Sequence, residues 1–164
     1  MGQVDLCDAR WAMGHGIVKT MKCESRNNNE VKDEYPLVTF ALFAYNQEEF
    51  IREAVESALA QDYTPLEIIL SDDCSPDRTF AIMEAAVKNY AGPHRIILNR
   101  NPINLGSSGI GLHVNHVLEM AHGELIVFAA GDDISLPIRT RMLVDAWNMA
   151  GRPSGSLHSA VETL

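Results

Sequence analysis

Four short apolar runs alternate with four stretches of helical periodicity between Pro36 and Met149, and that alternation leaves few folds open. The runs are residues 37–44, 66–71, 94–98 and 124–130. Runs this short and this apolar suit strands buried on both faces of a sheet. Between the first two, Phe50, Ala54 and Ala58, with Ile51, Val55 and Leu59 beside them, form one helix face reaching Gln61. Asn46 is placed to cap that helix, with Glu48 and Glu49 in its first turn. Ser75-Pro76-Asp77 opens a second helix, whose row is Met83, Ala86, Val87 and Tyr90 and whose stop is Gly92-Pro93. A polar loop, residues 99–109, leads to a third helix striped by Ile110, Val114, Val117, Leu118 and Ala121 and ended by Gly123. Pro137 introduces a fourth helix, residues 138–149. Strands and helices in this order predict βαβ units: an α/β domain with a mostly parallel sheet, flanking helices and right-handed crossovers.

Length and composition fit one such domain. The chain has 164 residues, 46% of them hydrophobic, enough for a single core. Residues 1–35 differ from the rest, with no sustained periodicity, Gly14, Gly16 and a polar run at 25–30. They are expected to form a flexible leader without a functional role, ordered at most around Trp11 to Met21. The domain is expected to cover residues 36–164 and to be truncated at its C-terminus, because residues 151–164 read as a loop leading to a further strand. The net charge of -9, from 13 Lys and Arg against 22 Asp and Glu, argues against a nucleic-acid groove. It is compatible with a nucleotide, because a bound cation can reverse the local field. Cys7, Cys23 and Cys74 form no C-x-x-C pair and read as unpaired thiols of a reducing compartment. No apolar run approaches the roughly 18 residues of a membrane span, and no signal-peptide core is visible at the N-terminus. The expected location is cytoplasmic, with association at the cytoplasmic face of a membrane left open.

Two acidic couplets carry the chemistry. Asp72-Asp73 follows the second run and Asp132-Asp133 the fourth. Carboxylates at the C-terminal ends of parallel strands open into the crevice where such sheets bind ligands. Two couplets in one crevice repel each other unless a cation or hydrogen-bond donors lie between them, and a divalent metal with a nucleotide base supplies both. Asp73 can accept a hydrogen bond from a pyrimidine N–H or a ribose hydroxyl. Gly131-Asp132-Asp133 offers the hard oxygens that suit Mg²⁺ or Mn²⁺, ions often held by one or two carboxylates plus substrate phosphates. Tyr45, at the tip of the first strand, can pack flat on a base, and Asn46 can hold the turn or a ligand. Each has a plainer alternative: capping by Ser75 or Asp77, a capped turn before Pro137, a loop or core place for Tyr45. His113 and His116 lie three apart on a helix but lack a third ligand nearby, so a partly exposed helix surface is expected for both. Arg139 and Arg141 follow the second couplet and face either phosphate or solvent.

Joined in order, these segments resemble the family 2 glycosyltransferases, the inverting group with the Rossmann-like A-type nucleotide-sugar fold. The matching stretch runs from Pro36 to Leu143. Residues 38–46 look like the family's opening strand and Tyr-Asn signature. Residues 54–63 look like its first helix, with the characteristic Ser57 and Gln61, and residues 67–79 resemble its Asp-Asp-x-Ser-x-Asp-x-Thr segment. Asn104-Leu105-Gly106 and Asn115 match the loop and helix that close over the nucleotide, and residues 123–133 with Pro137 the metal motif. The resemblance implies a nucleotide site of Ala44, Tyr45, Asn46, Asp72, Asp73, Asn115 and Asp132, with Asp133 binding Mn²⁺ or Mg²⁺. Within it, Tyr45 packs on the base, Asp73 hydrogen-bonds the base with Asp72 in support, Asn115 shapes the crevice, and Asp132 contacts ribose or reaches the metal through water. Phe43 and Ala44 stand where the family usually has Pro and Thr or Ser, which removes a hydroxyl from the base pocket. Cys74 replaces a common Gly or Asn.

The implied activity is inverting, metal-assisted transfer of a sugar from a nucleoside-diphosphate donor, expected to be UDP-linked, to an acceptor hydroxyl. The acceptor is left open among saccharide, lipid-linked and protein classes; polysaccharide biosynthesis is the expected setting. After Asp145 the only carboxylate is Glu162, so the catalytic base is expected beyond Leu164 and this chain alone is expected to bind donor with little transfer. The alternative is a truncated or inactive nucleotide-binding module. A sugar-phosphate nucleotidyltransferase would want a Gly-rich, basic loop where Tyr45-Asn46-Gln47-Glu48 stands. A receiver-like signalling domain would want acids at the end of the first strand, an Asp after the third and a Lys after a fifth.

Overall fold

The computed structural model describes residues 35–156. The leader expected over residues 1–35 therefore lies outside the described residues except for Tyr35, as do Cys7, Cys23, Glu162 and the last residues of the predicted terminal loop. The elements follow the predicted order: β1 (Val38–Ala44), α1 (Ile51–Leu59), β2 (Leu66–Asp72), α2 (Thr79–Lys88), β3 (Arg95–Arg100), α3 (Ile110–Met120), β4 (Leu125–Ala130) and α4 (Arg139–Met149). A single 3-10 turn, Gly106–Ser108, precedes α3.

All pairings are parallel, and the sheet order is β3-β2-β1-β4. The chain steps from β1 to β2 to β3 in one direction, then crosses back to place β4 on the other side of β1. Right-handed crossovers in opposite directions put their helices on opposite faces, and the core divides that way. Val38, Phe40 and Leu42 pack on one face with Ile51, Val55, Met83 and Val144 from α1, α2 and α4. Ala41 and Ile69 pack on the other with Val117 of α3. The two central strands, β1 and β2, are buried almost throughout.

Several boundaries differ from those predicted. α1 begins at Ile51 rather than just after Asn46, because the backbone turns through 47–50, where Gln47 O accepts the N–H groups of Phe50 and Ile51. Asn46 has a left-handed φ of 54° and caps nothing. Phe50, expected on the buried face, is exposed. β3 extends through Asn99 and Arg100, which were expected in the loop.

The N-terminal edge of the sheet is closed by a buried carboxylate. Glu67 accepts from Thr39 Oγ1 (2.7 Å) and His122 N (2.6 Å), and lies near Arg95 (3.5 Å). Gly123 donates its N–H to Thr39 Oγ1 at 2.9 Å, and a Cβ there would stand 2.4 Å from Thr39 N. The turn from α3 into β4 is thus docked on β1 and β2, at the opposite edge from the acidic couplets.

Candidate functional site

Strand order reverses between β1 and β4, and in open α/β sheets that switch point, at the C-terminal ends of the strands, is where ligands bind. The end of β1 lies at its centre. Asp72-Asp73 stands one strand away on β2, and Asp132-Asp133 follows β4 on the other side. Two strand spacings put the couplets roughly 10 Å apart.

At the tip of β1, the Ala44 methyl is buried in the core and its carbonyl accepts the N–H of Asp73 at 2.9 Å. Tyr45, the residue after β1, is 48% exposed. Asn46, Gln47 and Glu48 donate their N–H groups to Ser75 Oγ, Thr79 Oγ1 and Asp77 Oδ2 at 2.9, 2.8 and 3.0 Å. The β1–α1 loop is thereby laced to the start of α2. Asp77 also accepts the N–H of Thr79, the first residue of α2 (2.9 Å), but the N-cap position is Arg78 and carries no side-chain bond, and Ser75, also expected as a cap, serves the other loop. Cys74 has a φ of 61°, a left-handed conformation that Gly or Asn takes more easily.

Asp72 is fully buried: Oδ2 accepts the N–H of Ser75 at 3.0 Å and faces Arg100 Nε at 3.4 Å, while Oδ1 is enclosed with no partner among the described residues. Asp73 is more heavily engaged. Its Oδ1 accepts from Asn101 Nδ2 (2.7 Å) and Leu105 N (2.9 Å), and its Oδ2 from Gly106 N (2.7 Å). Burial opposes its charge, but these three hydrogen bonds prevail and hold the carboxyl below the usual aspartate range. A Cβ on Gly106 would lie 2.9 Å from Oδ2, so a side chain at 106 would make the loop or the carboxylate shift.

Asp132 and Asp133 contrast with that pair. Both are exposed, and neither side chain is hydrogen-bonded among the described residues. Their loop is nonetheless fixed from below. Gly131 donates its N–H to Phe43 O at 2.8 Å. Beyond the couplet, Ser135 N donates to Ser57 Oγ (3.0 Å), and Gln61 donates through Nε2 to Leu136 O (2.9 Å). Gln61 Oε1 in turn accepts from Thr140 N (3.1 Å) and Thr140 Oγ1 (2.7 Å). Arg141 pairs with Asp62 at 2.8 Å, and Arg139 donates to Phe128 O (2.8 Å) and Ser135 Oγ (3.0 Å). Both arginines are held by protein acceptors; Arg141 is exposed on α4, the solvent-facing place expected as one of its two alternatives, and Arg139 is half-buried.

Among the described residues no three His, Cys, Asp or Glu side chains converge on a metal position. A divalent ion here would rest on Asp133 and Asp132, with ligand oxygens completing its shell. Two solvent-facing carboxylates with no hydrogen-bond partner among the described residues fit that requirement.

The structure brings Tyr45, Asp73, Asp132 and Asp133 to one edge of the sheet. Asn115 is half-buried on α3 and takes no part in the hydrogen bonds around Asp73. His113 is the α3 residue that does reach this region. It is buried, not on an exposed helix surface, with Nε2 2.7 Å from Ser71 Oγ and Nδ1 3.9 Å from Asp73 Oδ2. Its spacing, four residues before Val117 and three after Ile110, already put it on the apolar stripe. Asn101, the donor to Asp73, lies in the stretch whose sequence reads as a polar loop, where a single Asn carries no sign of its partner.

Residues 39–152 match the family described as Glycosyl transferase family 2. The chain is 34% identical over 119 residues to the succinoglycan biosynthesis protein ExoO of Rhizobium meliloti, covering 73% of this chain and 32% of ExoO. It is 38% identical over 97 residues to WfaP of Escherichia coli, a UDP-Glc:α-D-GlcNAc-diphosphoundecaprenol β-1,3-glucosyltransferase, covering 59% and 36%. The chain thus spans about a third of these relatives' length. Among solved structures it is similar to residues 1–349 of Staphylococcus aureus TarS in complex with UDP-GlcNAc, at 26% identity and a TM-score of 0.57 over 68% of this chain and 31% of that one. It is also similar to the mannosyltransferase PcManGT of Pyrobaculum calidifontis in complex with GDP-Man and Mn²⁺, at 25% identity and a TM-score of 0.58, covering 68% and 31%.

Proposed function

The chain belongs to glycosyl transferase family 2, and on that premise we propose that its crevice binds a nucleoside-diphosphate sugar for transfer to an acceptor hydroxyl. The observation that carries the proposal is the asymmetry of the two couplets. One is buried and held by donors, with an acceptor site still open on Asp73; the other is exposed and has no hydrogen-bond partner among the described residues, one strand to each side of an exposed Tyr45. A nucleotide laid across the end of β1 would meet a recognition carboxylate on one side and metal ligands on the other.

In this proposal Tyr45 stacks on the base and Asp73 accepts its ring N–H. Asp72 supports Asp73 by fixing the Ser75 turn, and Ala44 and Asn46 shape the floor through their backbone. Asn115 lines the crevice from α3. Asp132 faces the ribose, and Asp133 holds Mn²⁺ or Mg²⁺. Bound there, the ion would offset the charge that builds on the departing diphosphate. The acceptor oxygen attacks the anomeric carbon from the face opposite the diphosphate, and a single displacement inverts the configuration. A general base takes the acceptor proton; we assign it outside the described residues, because the four crevice carboxylates already have other roles. A UDP-linked donor is supported by WfaP and by the UDP-GlcNAc complex of TarS, whereas the GDP-Man complex of PcManGT keeps the base a matter for experiment. An acceptor that is a saccharide or lipid-linked saccharide is supported by the names of ExoO and WfaP. Among the described residues no helix is long and apolar enough to cross a membrane. An inactive nucleotide-binding module, the alternative, draws no support from relatives named for synthesis and transfer.

Calorimetric titration of UDP into the chain, with and without Mn²⁺, tests this. Binding that strengthens about tenfold or more with Mn²⁺, and loses that gain in Asp133→Ala, is expected, about 1.4 kcal/mol. A folded chain that binds neither UDP nor GDP, with or without metal, would refute the proposal.

A further inference from the structure

Beneath the crevice, a chain of side chains runs from α3 to the loop that holds Asp73. We propose that His113 is a positioning residue for Asp73: it keeps one acceptor site on that carboxylate open to a nucleotide base N–H. The inference rests on the proposal that Asp73 meets the base.

The directions of the hydrogen bonds follow from the carboxylate outward. Asp73 only accepts, so the Asn101 amide presents Nδ2 to it at 2.7 Å. Asn101 Oδ1 then faces Asn99 and accepts from its Nδ2 at 2.9 Å. The second hydrogen of Asn99 Nδ2 goes to Ser71 Oγ at 3.0 Å. The Ser71 hydroxyl hydrogen is left to point at His113 Nε2, 2.7 Å away. Nε2 is therefore the acceptor, and the imidazole proton sits on Nδ1, the nitrogen that faces Asp73.

A carboxylate offers about four acceptor sites, two per oxygen. Asn101 and Leu105 fill both on Oδ1, and Gly106 fills one on Oδ2. The remaining site is on Oδ2, the oxygen 3.9 Å from His113 Nδ1, a separation too long for a hydrogen bond. A neutral His113 thus faces that site without occupying it. A protonated His113 would carry hydrogen on both nitrogens, oppose the Ser71 hydroxyl at Nε2, and bring a full positive charge against Asp73. The base would then compete with an ion pair for the last site.

The surroundings keep the ring neutral at neutral pH. Burial is the largest influence and lowers its pKa below the ordinary histidine value; Asp73 and Asp72 at the end of β2 oppose that, and His116 on α3 reinforces it. Phe43 of β1 contributes only an edge-on ring, 5.1 Å between centroids.

The test is UDP affinity in saturating Mn²⁺ from about pH 7.5 downward through the ordinary histidine range to the lowest pH at which both proteins stay folded, for the wild type and His113→Gln. Glutamine can accept from Ser71 through its carbonyl and cannot take up a proton. The expected result is similar affinity at the upper pH and a several-fold greater loss in the wild type at the lower one. Taking the ratio of the two proteins cancels titration of the UDP phosphates. Equal losses would overturn the inference while leaving the nucleotide site intact; no UDP binding by either folded protein at any pH would overturn both. Nitrogen NMR of the wild-type His113 ring is independent of any variant: a proton on Nδ1 supports the inference, and a proton on Nε2 alone overturns it.

Discussion

At the scale of the residue, the site depends on how few groups Asp73 has left to offer. Its donors are two backbone amides and one asparagine, and Gly106 sets the approach of both amides. Gly106→Ala would force a methyl to 2.9 Å from Oδ2, so either the loop or the carboxylate must shift. We expect a loss of about 1–3 kcal/mol in stability, read by urea denaturation, and weaker UDP binding. Unchanged values for both would show that the loop is not held through Asp73. Asp73 itself was legible in the sequence, because an acid after a buried strand has few places to go. Its donors were not, since backbone amides leave no mark in the one-letter string. His113 was misplaced for a related reason: a buried neutral histidine and a surface one look alike until the partner is known.

The elements show what the family's Ser and Gln do in this chain. Ser57 and Gln61, on α1 and the turn after it, hold the backbone at Ser135, Leu136 and Thr140, and so fix the exit of the Asp132-Asp133 loop. Gln61 is buried, and its four hydrogen-bonding positions are all used. Gln61→Leu would leave several buried partners unsatisfied and should cost about 2–4 kcal/mol. It should also weaken Mn²⁺ binding in the presence of UDP more than it weakens UDP alone, because only the side of the crevice proposed to hold the metal loses its support. Paired titrations with and without Mn²⁺ measure this; equal weakening would assign Gln61 a purely structural role. The existence and order of the helices were readable from periodicity. The start of α1 was not, because the 47–50 turn is held by its amides bonding to Asp77 in the β2–α2 loop and to Thr79 at the start of α2, a tertiary cause.

For the whole molecule, charge burial sets the response to acid. Glu67, Asp73 and Asp77 are each pushed up by burial, yet their hydrogen bonds hold all three below the ordinary carboxylate values. Their contribution is complete above the unfolded carboxylate pKa of about 4 and is lost as pH falls through the lower folded values. His113, lowered by burial, works in the same direction: the unfolded chain takes up its proton first, from about pH 6.5 downward. The urea midpoint should therefore be flat above about pH 7, decline gently below about pH 6.5, and drop steeply below about pH 4. A midpoint that rises on acidification would contradict these assignments.

Alternation of runs and stripes was sufficient to predict a parallel α/β sheet. The order β3-β2-β1-β4 was not, because nothing in a single strand's composition names its neighbour. That order is what separates the two couplets by one strand and leaves Tyr45 between them. A nucleotide site at the end of β1 is tested most simply by an amide NMR titration of the chain with UDP and Mg²⁺. Shifts are predicted at Tyr45, Leu105, Gly106, Asp132 and Asp133, with Glu67, His122 and Gly123 at the far edge of the sheet undisturbed. Shifts confined to that far edge, or none near the end of β1, would contradict it.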